Sequence, residues 1–68
     1  MHKVGQIYKM LRPVRSVVEN QLVLCISVEK DFRFSADTMC RFICLNTMNQ
    51  IFLTKDLAGY FVSTESIK

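Results

Sequence analysis

Short apolar runs alternate with short polar breaks along all 68 residues, the rhythm of several strands rather than of long helices. Val4 to Leu11 (VGQIYKML) predicts a first strand, with Val4, Tyr8 and Met10 on one side and Gly5, Ile7 and Lys9 on the other. Gly5 marks a bulge or a close backbone approach, and Pro13, which lacks a donor, ends regular pairing. Val14 to Glu29 reads as a hairpin reversing near Glu19–Asn20–Gln21, or as one long bent strand. Both faces of Leu22 to Val28 are apolar, which predicts a central strand covered on both sides.

Lys30 to Thr38 is polar apart from Phe32 and Phe34, and Ser35, Asp37 and Thr38 suggest a turn. A helix starting at Ser35 or Asp37 competes with a strand over Met39 to Leu45; the Phe, Ile and two Cys of that run favour the strand. Asn46 to Asn49 then forms a four-residue hairpin loop, and Gln50 to Thr54 the partner strand. Thr54 is placed to cap a short helical turn over residues 55–59, with Gly59 ending it in a left-handed conformation. Tyr60 to Val62 reads as a last strand, and 64–68 as a flexible tail beyond a core of about residues 4–63. The expected fold is mainly β: a single small domain, residues 1–68, built as an antiparallel five- to six-stranded barrel or strongly bent sheet with one short helical turn.

Composition narrows the function. Half the residues are hydrophobic, high for a chain that buries only about 60% of its unfolded surface. Part of that apolar surface is expected in an interface. The net charge of +3 is mild, but Lys3, Lys9, Arg12 and Arg15 precede the first acid, Glu19. They make either a basic patch or a solvated edge that discourages pairing. No apolar leader follows Met1, and no run approaches the roughly 20 residues that span a bilayer. A cytoplasmic protein without membrane attachment, its three cysteines as thiols, is expected.

The Gly-x-Ile-Tyr start (Gly5 to Tyr8) and the Leu-Thr-x-x-Leu turn before Tyr-Phe (Leu53 to Phe61) resemble small SH3-like barrels of bacteria and phages, over most of residues 4–63. The resemblance implies a small barrel, and a phage- or mobile-element-type modulator of a host protein. The chain departs from signalling SH3 domains in having no Trp and no acidic loop, so recognition of proline-rich ligands is not implied.

Candidate chemistry is thin. Cys40 and Cys44 share one face of a strand but lie roughly 13 Å apart at ~3.3 Å per residue, too far to ligate one zinc or to join in a disulfide. Cys25 is able to face either one across strands. The only histidine, His2, stands at a terminus expected to be mobile and is a poor base for a thiol nucleophile. Glu29 and Asp31, the only close acids, flank Lys30 and are accounted for by local ion pairing. No glycine-rich phosphate loop exists. No catalytic residue, metal ligand or cofactor is therefore expected.

Binding remains. A protein partner suits the apolar composition, the four Met and unspent strand edges, and self-association through an edge strand hides the same surface. Single-stranded nucleic acid is the alternative, since Phe32-Arg33-Phe34 and Arg41-Phe42 interleave charge and ring. The candidate surface is Lys3, Tyr8, Lys9, Arg12, Arg15, Phe32, Arg33, Phe34 and Arg41, with Phe42, Phe52 and Phe61 assigned to the core; Met10, Met39 and Met48 either fill gaps in the core or join an apolar binding patch.

Overall fold

In the computed structural model, residues 2–15, 17, 19–30 and 38–67 are described. Four strands form one antiparallel sheet in chain order, β1 (Ile7–Lys9), β2 (Leu22–Lys30), β3 (Thr38–Cys44) and β4 (Gln50–Thr54), followed by α1 (Lys55–Phe61). The sheet is open, and its described strands number four rather than five or six.

The two missing strands have local causes. Val14 and Val17 bond each other through both main-chain groups (2.8 and 2.9 Å), closing a tight turn with Arg15 at φ 55°. With Pro13 just before it, this segment cannot run on as a ladder, so the reversal at Asn20 (φ 70°) returns β2 to β1 instead. Val17 plugs into the core. At the other end, α1 continues through Gly59, which is helical, to Phe61, and the Val62 N–H still bonds the Ala58 carbonyl at 2.9 Å. Only Val62 is extended, bridging Met10.

The local signals hold elsewhere. The Thr54 hydroxyl accepts from the Leu57 N–H at 3.3 Å and caps α1. The β3–β4 loop closes on the Cys44–Asn49 bond (2.7 Å), with Met48 at φ 63°. Gly5 (φ 88°) stands in the turn before β1 and donates to the Cys25 carbonyl at 2.8 Å, a conformation that favours glycine.

One face of the sheet carries the core. The rows Tyr8–Val23–Cys44, Cys25–Phe42–Ile51 and Val28–Cys40–Leu53 lie under Met10, Val17, Ala58 and Val62. A register shift between Cys25 and Ser27 lets Val28 return to this face. The other face carries Ile7–Leu24–Ile43–Gln50 and Ser27–Arg41–Phe52, with Leu22 beside Lys9. β2 is thus central but covered by described residues on one side only, not on both.

Both termini lie against β1. Ser63 donates from its N–H to the Lys9 carbonyl (2.9 Å) and accepts from the Lys9 N–H at its Oγ (3.1 Å). Ile67 donates to the Ile7 carbonyl (2.6 Å). Residues 64–67, read from sequence as tail, therefore run along the strand. Among the described residues, no helix is long and apolar enough to cross a membrane.

Candidate binding surface

The outer face of the sheet is where exposed apolar side chains meet a cation. Leu22 and Phe52 are 40% and 52% exposed, and Ile7, Leu24, Ile43 and Met39 are half-buried between them. Arg41 stands opposite Phe52 in the β3–β4 register and lays its guanidinium 4.7 Å from the ring centroid. The guanidinium is thus within cation–π range of a ring whose residue is half exposed.

Phe52 corrects the assignment to the core. Its strand, Gln50-Ile51-Phe52-Leu53-Thr54, alternates, and Phe52 shares a face with Gln50 and Thr54 while Ile51 and Leu53 are buried. That polar alternation was the signal that places it outside. The methionines divide: Met48 stands 65% exposed in the β3–β4 loop, whereas Met10 is fully buried.

The sequence-predicted surface residues do not converge. Tyr8 is a correction: at 2% exposure it belongs to the core, with its hydroxyl accepting from the Lys3 N–H at 2.8 Å. The strand pleat puts Tyr8 on the covered face and leaves Ile7 and Lys9 outside. Lys3, Lys9, Arg12, Arg15 and Arg41 are all exposed, but they sit on the N-terminal turn, β1, the β1–β2 loop and β3. Arg12 reaches a second exposed ring, Tyr60 of α1, at 4.1 Å. Phe32, Arg33 and Phe34 lie outside the described residues.

His2 is the residue whose place sequence reading missed most. It is 5% exposed, its Nε2 donates to the Ser63 carbonyl at 2.8 Å, and its ring meets Tyr8 and Phe42 edge-on at 4.5 and 5.2 Å. The imidazole thus joins the two termini inside an aromatic cluster.

The three thiols are free and buried. Cys25 pairs with Phe42, not with Cys40 or Cys44. Burial pushes the Cys25 thiol up from its ordinary range, with the neighbouring Cys40 adding to the rise, and burial raises Cys40 against a partial offset from Lys55. Cys44 is different. Burial alone would raise it, but the Thr47 hydroxyl and the N–H groups of Thr47 and Asn46 outweigh that and lower it. Its thiol also donates to Gln21 Oε1 at 2.9 Å. Beside it, Gln21, Leu22, Leu45 and Asn46 line an open depression of about 350 Å³. Among the described residues no cluster of three or more metal-ligating side chains forms.

The open edge of the sheet is the remaining feature. Antiparallel pairs alternate between those that exchange main-chain bonds and those that do not. The Cys44 N–H donates to the Asn49 carbonyl, so by alternation the main-chain groups of Phe42 and Ile51, and of Cys40 and Leu53, face each other, and those of Gln50 and Phe52 point away from β3. Among the described residues, β4 pairs with β3 alone. Comparison with protein-family models, with curated proteins and with solved structures finds no match for this chain.

Proposed function

We propose that this chain is a non-catalytic protein-binding module that works by covering a surface of its partner, as a modulator would, with the outer face of the sheet and the adjoining β4 edge as its docking surface. The observation that carries this reading is the row of apolar side chains, Leu22, Leu24, Ile43 and Phe52, that crosses three strands without a described element over it. Contiguous exposed apolar surface on a small domain marks an interaction site. Arg41 adds a polar anchor beside Phe52, the combination enriched at the centres of interfaces.

The test is affinity capture from lysate of the organism that makes the chain, after nuclease treatment, with wild type and with Leu24→Asp. A protein retained by wild type and lost with the variant supports the reading. Capture that is unaffected by the variant, or that disappears with nuclease, overturns it.

Single-stranded nucleic acid is the second reading, favoured by the two exposed ring–arginine pairs, Arg41–Phe52 and Arg12–Tyr60. It requires oligonucleotide binding that weakens steeply with salt and is lost with Arg41→Ala. Absence of binding at low salt removes it.

A further inference from the structure

The two edges of the sheet are unequal, and this identifies an occupant for the open one. On the β1 side, Ile7 and Lys9 already bond the chain's own residues 63 and 67. On the β4 side, Gln50 and Phe52 offer main-chain groups outward. Natural edge strands are normally guarded by charge, proline or a bulge. Asn49 to Thr54 contains no charged residue and no proline, and the β3–β4 register runs without a shift.

We propose that a second copy of this chain occupies the β4 edge, with Phe52 of each copy paired about a two-fold axis so that two four-stranded sheets join into one. This rests on the reading of the same edge as part of a docking surface. The strand is self-complementary in that register. Phe52 meets Phe52 of the second copy as a bonded pair, so the outward N–H and C=O of each satisfy the other's. Gln50 falls opposite Thr54 on the outer face, polar against polar. Ile51 falls opposite Leu53 on the covered face, so the two buried rows become continuous.

Charge does not oppose the arrangement. The two Arg41 side chains lie three strand spacings apart, about 14 Å at ~4.8 Å per spacing, beyond the Debye length of about 8 Å at physiological salt. Closure favours a second copy over an unlimited assembly. Each chain has one open edge among its described strands, and an isologous pairing consumes both, whereas two open edges would propagate into a filament.

Sedimentation velocity of the intact chain, from micromolar to millimolar concentration, tests the proposal together with amide exchange at Phe52. The expected result is a reversible, concentration-dependent dimer in which the Phe52 N–H becomes protected as the dimer fills. Phe52→Lys places like charges at the axis and is expected to weaken association by at least about tenfold. Gln50→Lys, a milder change at the same edge, is expected to weaken it as well, and serves if Phe52→Lys fails to fold by circular dichroism. Val4→Lys, exposed in the turn before β1, leaves association unchanged. A chain that stays monomeric into the millimolar range overturns the proposal. So does a dimer indifferent to both edge variants. If the monomeric result coincides with Leu24-dependent, nuclease-resistant capture of another protein, the second copy is rejected while the protein-binding reading survives.

Discussion

The β1 and β4 edges face the same physical problem, a row of main-chain donors and acceptors with no neighbouring strand, and the chain treats them oppositely. At β1 the residues after α1 double back, and Ser63 and Ile67 take up the outward groups of Lys9 and Ile7. The N-terminus then locks this seal, because His2 donates to the Ser63 carbonyl from within the core. Among the described residues nothing comparable covers β4, which runs straight into α1. The lesson is that edge protection here depends on distant parts of the chain rather than on the edge sequence. β1 carries Lys9, the usual guard, and is sealed as well, while β4 is neutral and, among the described residues, unsealed.

Breaking the seal should have the largest effect. Removing residues 63–68 deletes both bonds to Lys9, the Ile7–Ile67 bond and the carbonyl that His2 uses. At about 0.5–1.5 kcal/mol per net hydrogen bond, and with water recovering part of the loss, stability should fall by about 2–4 kcal/mol. Urea unfolding measures this, and for a domain of this size most of its margin is at stake. Light scattering should also show growth beyond a dimer, because the truncated chain has two open edges. Unchanged stability would mean that the C-terminal segment lies on β1 without holding it.

A smaller loss is expected from His2→Ala. The substitution empties a buried ring site against Tyr8 and Phe42 and orphans one carbonyl. Edge-to-face aromatic contacts and one hydrogen bond together correspond to about 1–3 kcal/mol. Amide exchange sharpens the comparison. In the variant, exchange at Lys9 should accelerate toward that of Phe52 in dilute wild type, since the latch and not only the strand protects it. Stability equal to wild type would show that the seal holds without its latch.

The elements between the edges were readable in sequence, and the edges were not. β3, the hairpin loop after it, β4 and the Thr54 cap follow from signals a few residues long: a β-branched and aromatic run, an asparagine-bounded turn, a hydroxyl three residues before the N–H it accepts from. The extended reading holds for residues 39–44, Leu45 already turning, and with it the separation of Cys40 from Cys44 along the strand. What failed depended on contacts remote in sequence. Val14 to Val17 looks like strand until Pro13 and Arg15 turn it into a plug. Tyr60 and Phe61 look like strand until α1 runs on through Gly59. His2 reads as mobile because it is held through residue 63, a partner that no local pattern announces, whereas Tyr8 shares its strand side with buried Met10, a signal already present in the alternation. The binding surface was half legible. Arg41 was singled out, but its ring is Phe52, assigned to the core because aromatic residues are few.

The core that both edges share should weaken at alkaline pH. Cys25 and Cys40 have folded-state pKa values raised above the ordinary 9.0, burial being the main cause. A raised group favours folding fully below the unfolded value and loses that contribution as pH climbs, because the unfolded chain releases protons that the folded chain retains. Cys44 runs the other way: its lowered value adds stability as pH rises through it. Two raised thiols against one lowered predict a net decline above 9.0. Urea midpoints from neutral to alkaline pH should show a shallow fall. Cys25→Ala flattens it and Cys44→Ala steepens it, each judged by slope rather than by starting stability. A rise in stability with pH would overturn the assignment.

The smallest effect belongs to the open edge. Phe52→Thr puts a β-branched residue on β4 and removes a ring that is half exposed and lies under the Arg41 guanidinium. An exposed cation–π contact is worth about 0.5 kcal/mol, so at high dilution the stability should change by no more than about that. The same substitution made within the core row, Phe42→Thr, removes a fully buried ring and should cost at least about 3 kcal/mol. If instead Phe52→Thr costs as much as a core change in the dilute monomer, Phe52 is held by contacts that the open edge does not provide, and β4 cannot be the unguarded side of the sheet. A near-neutral result in the monomer, joined to weaker association at high concentration, would separate what Phe52 does for the fold from what it does for a partner strand.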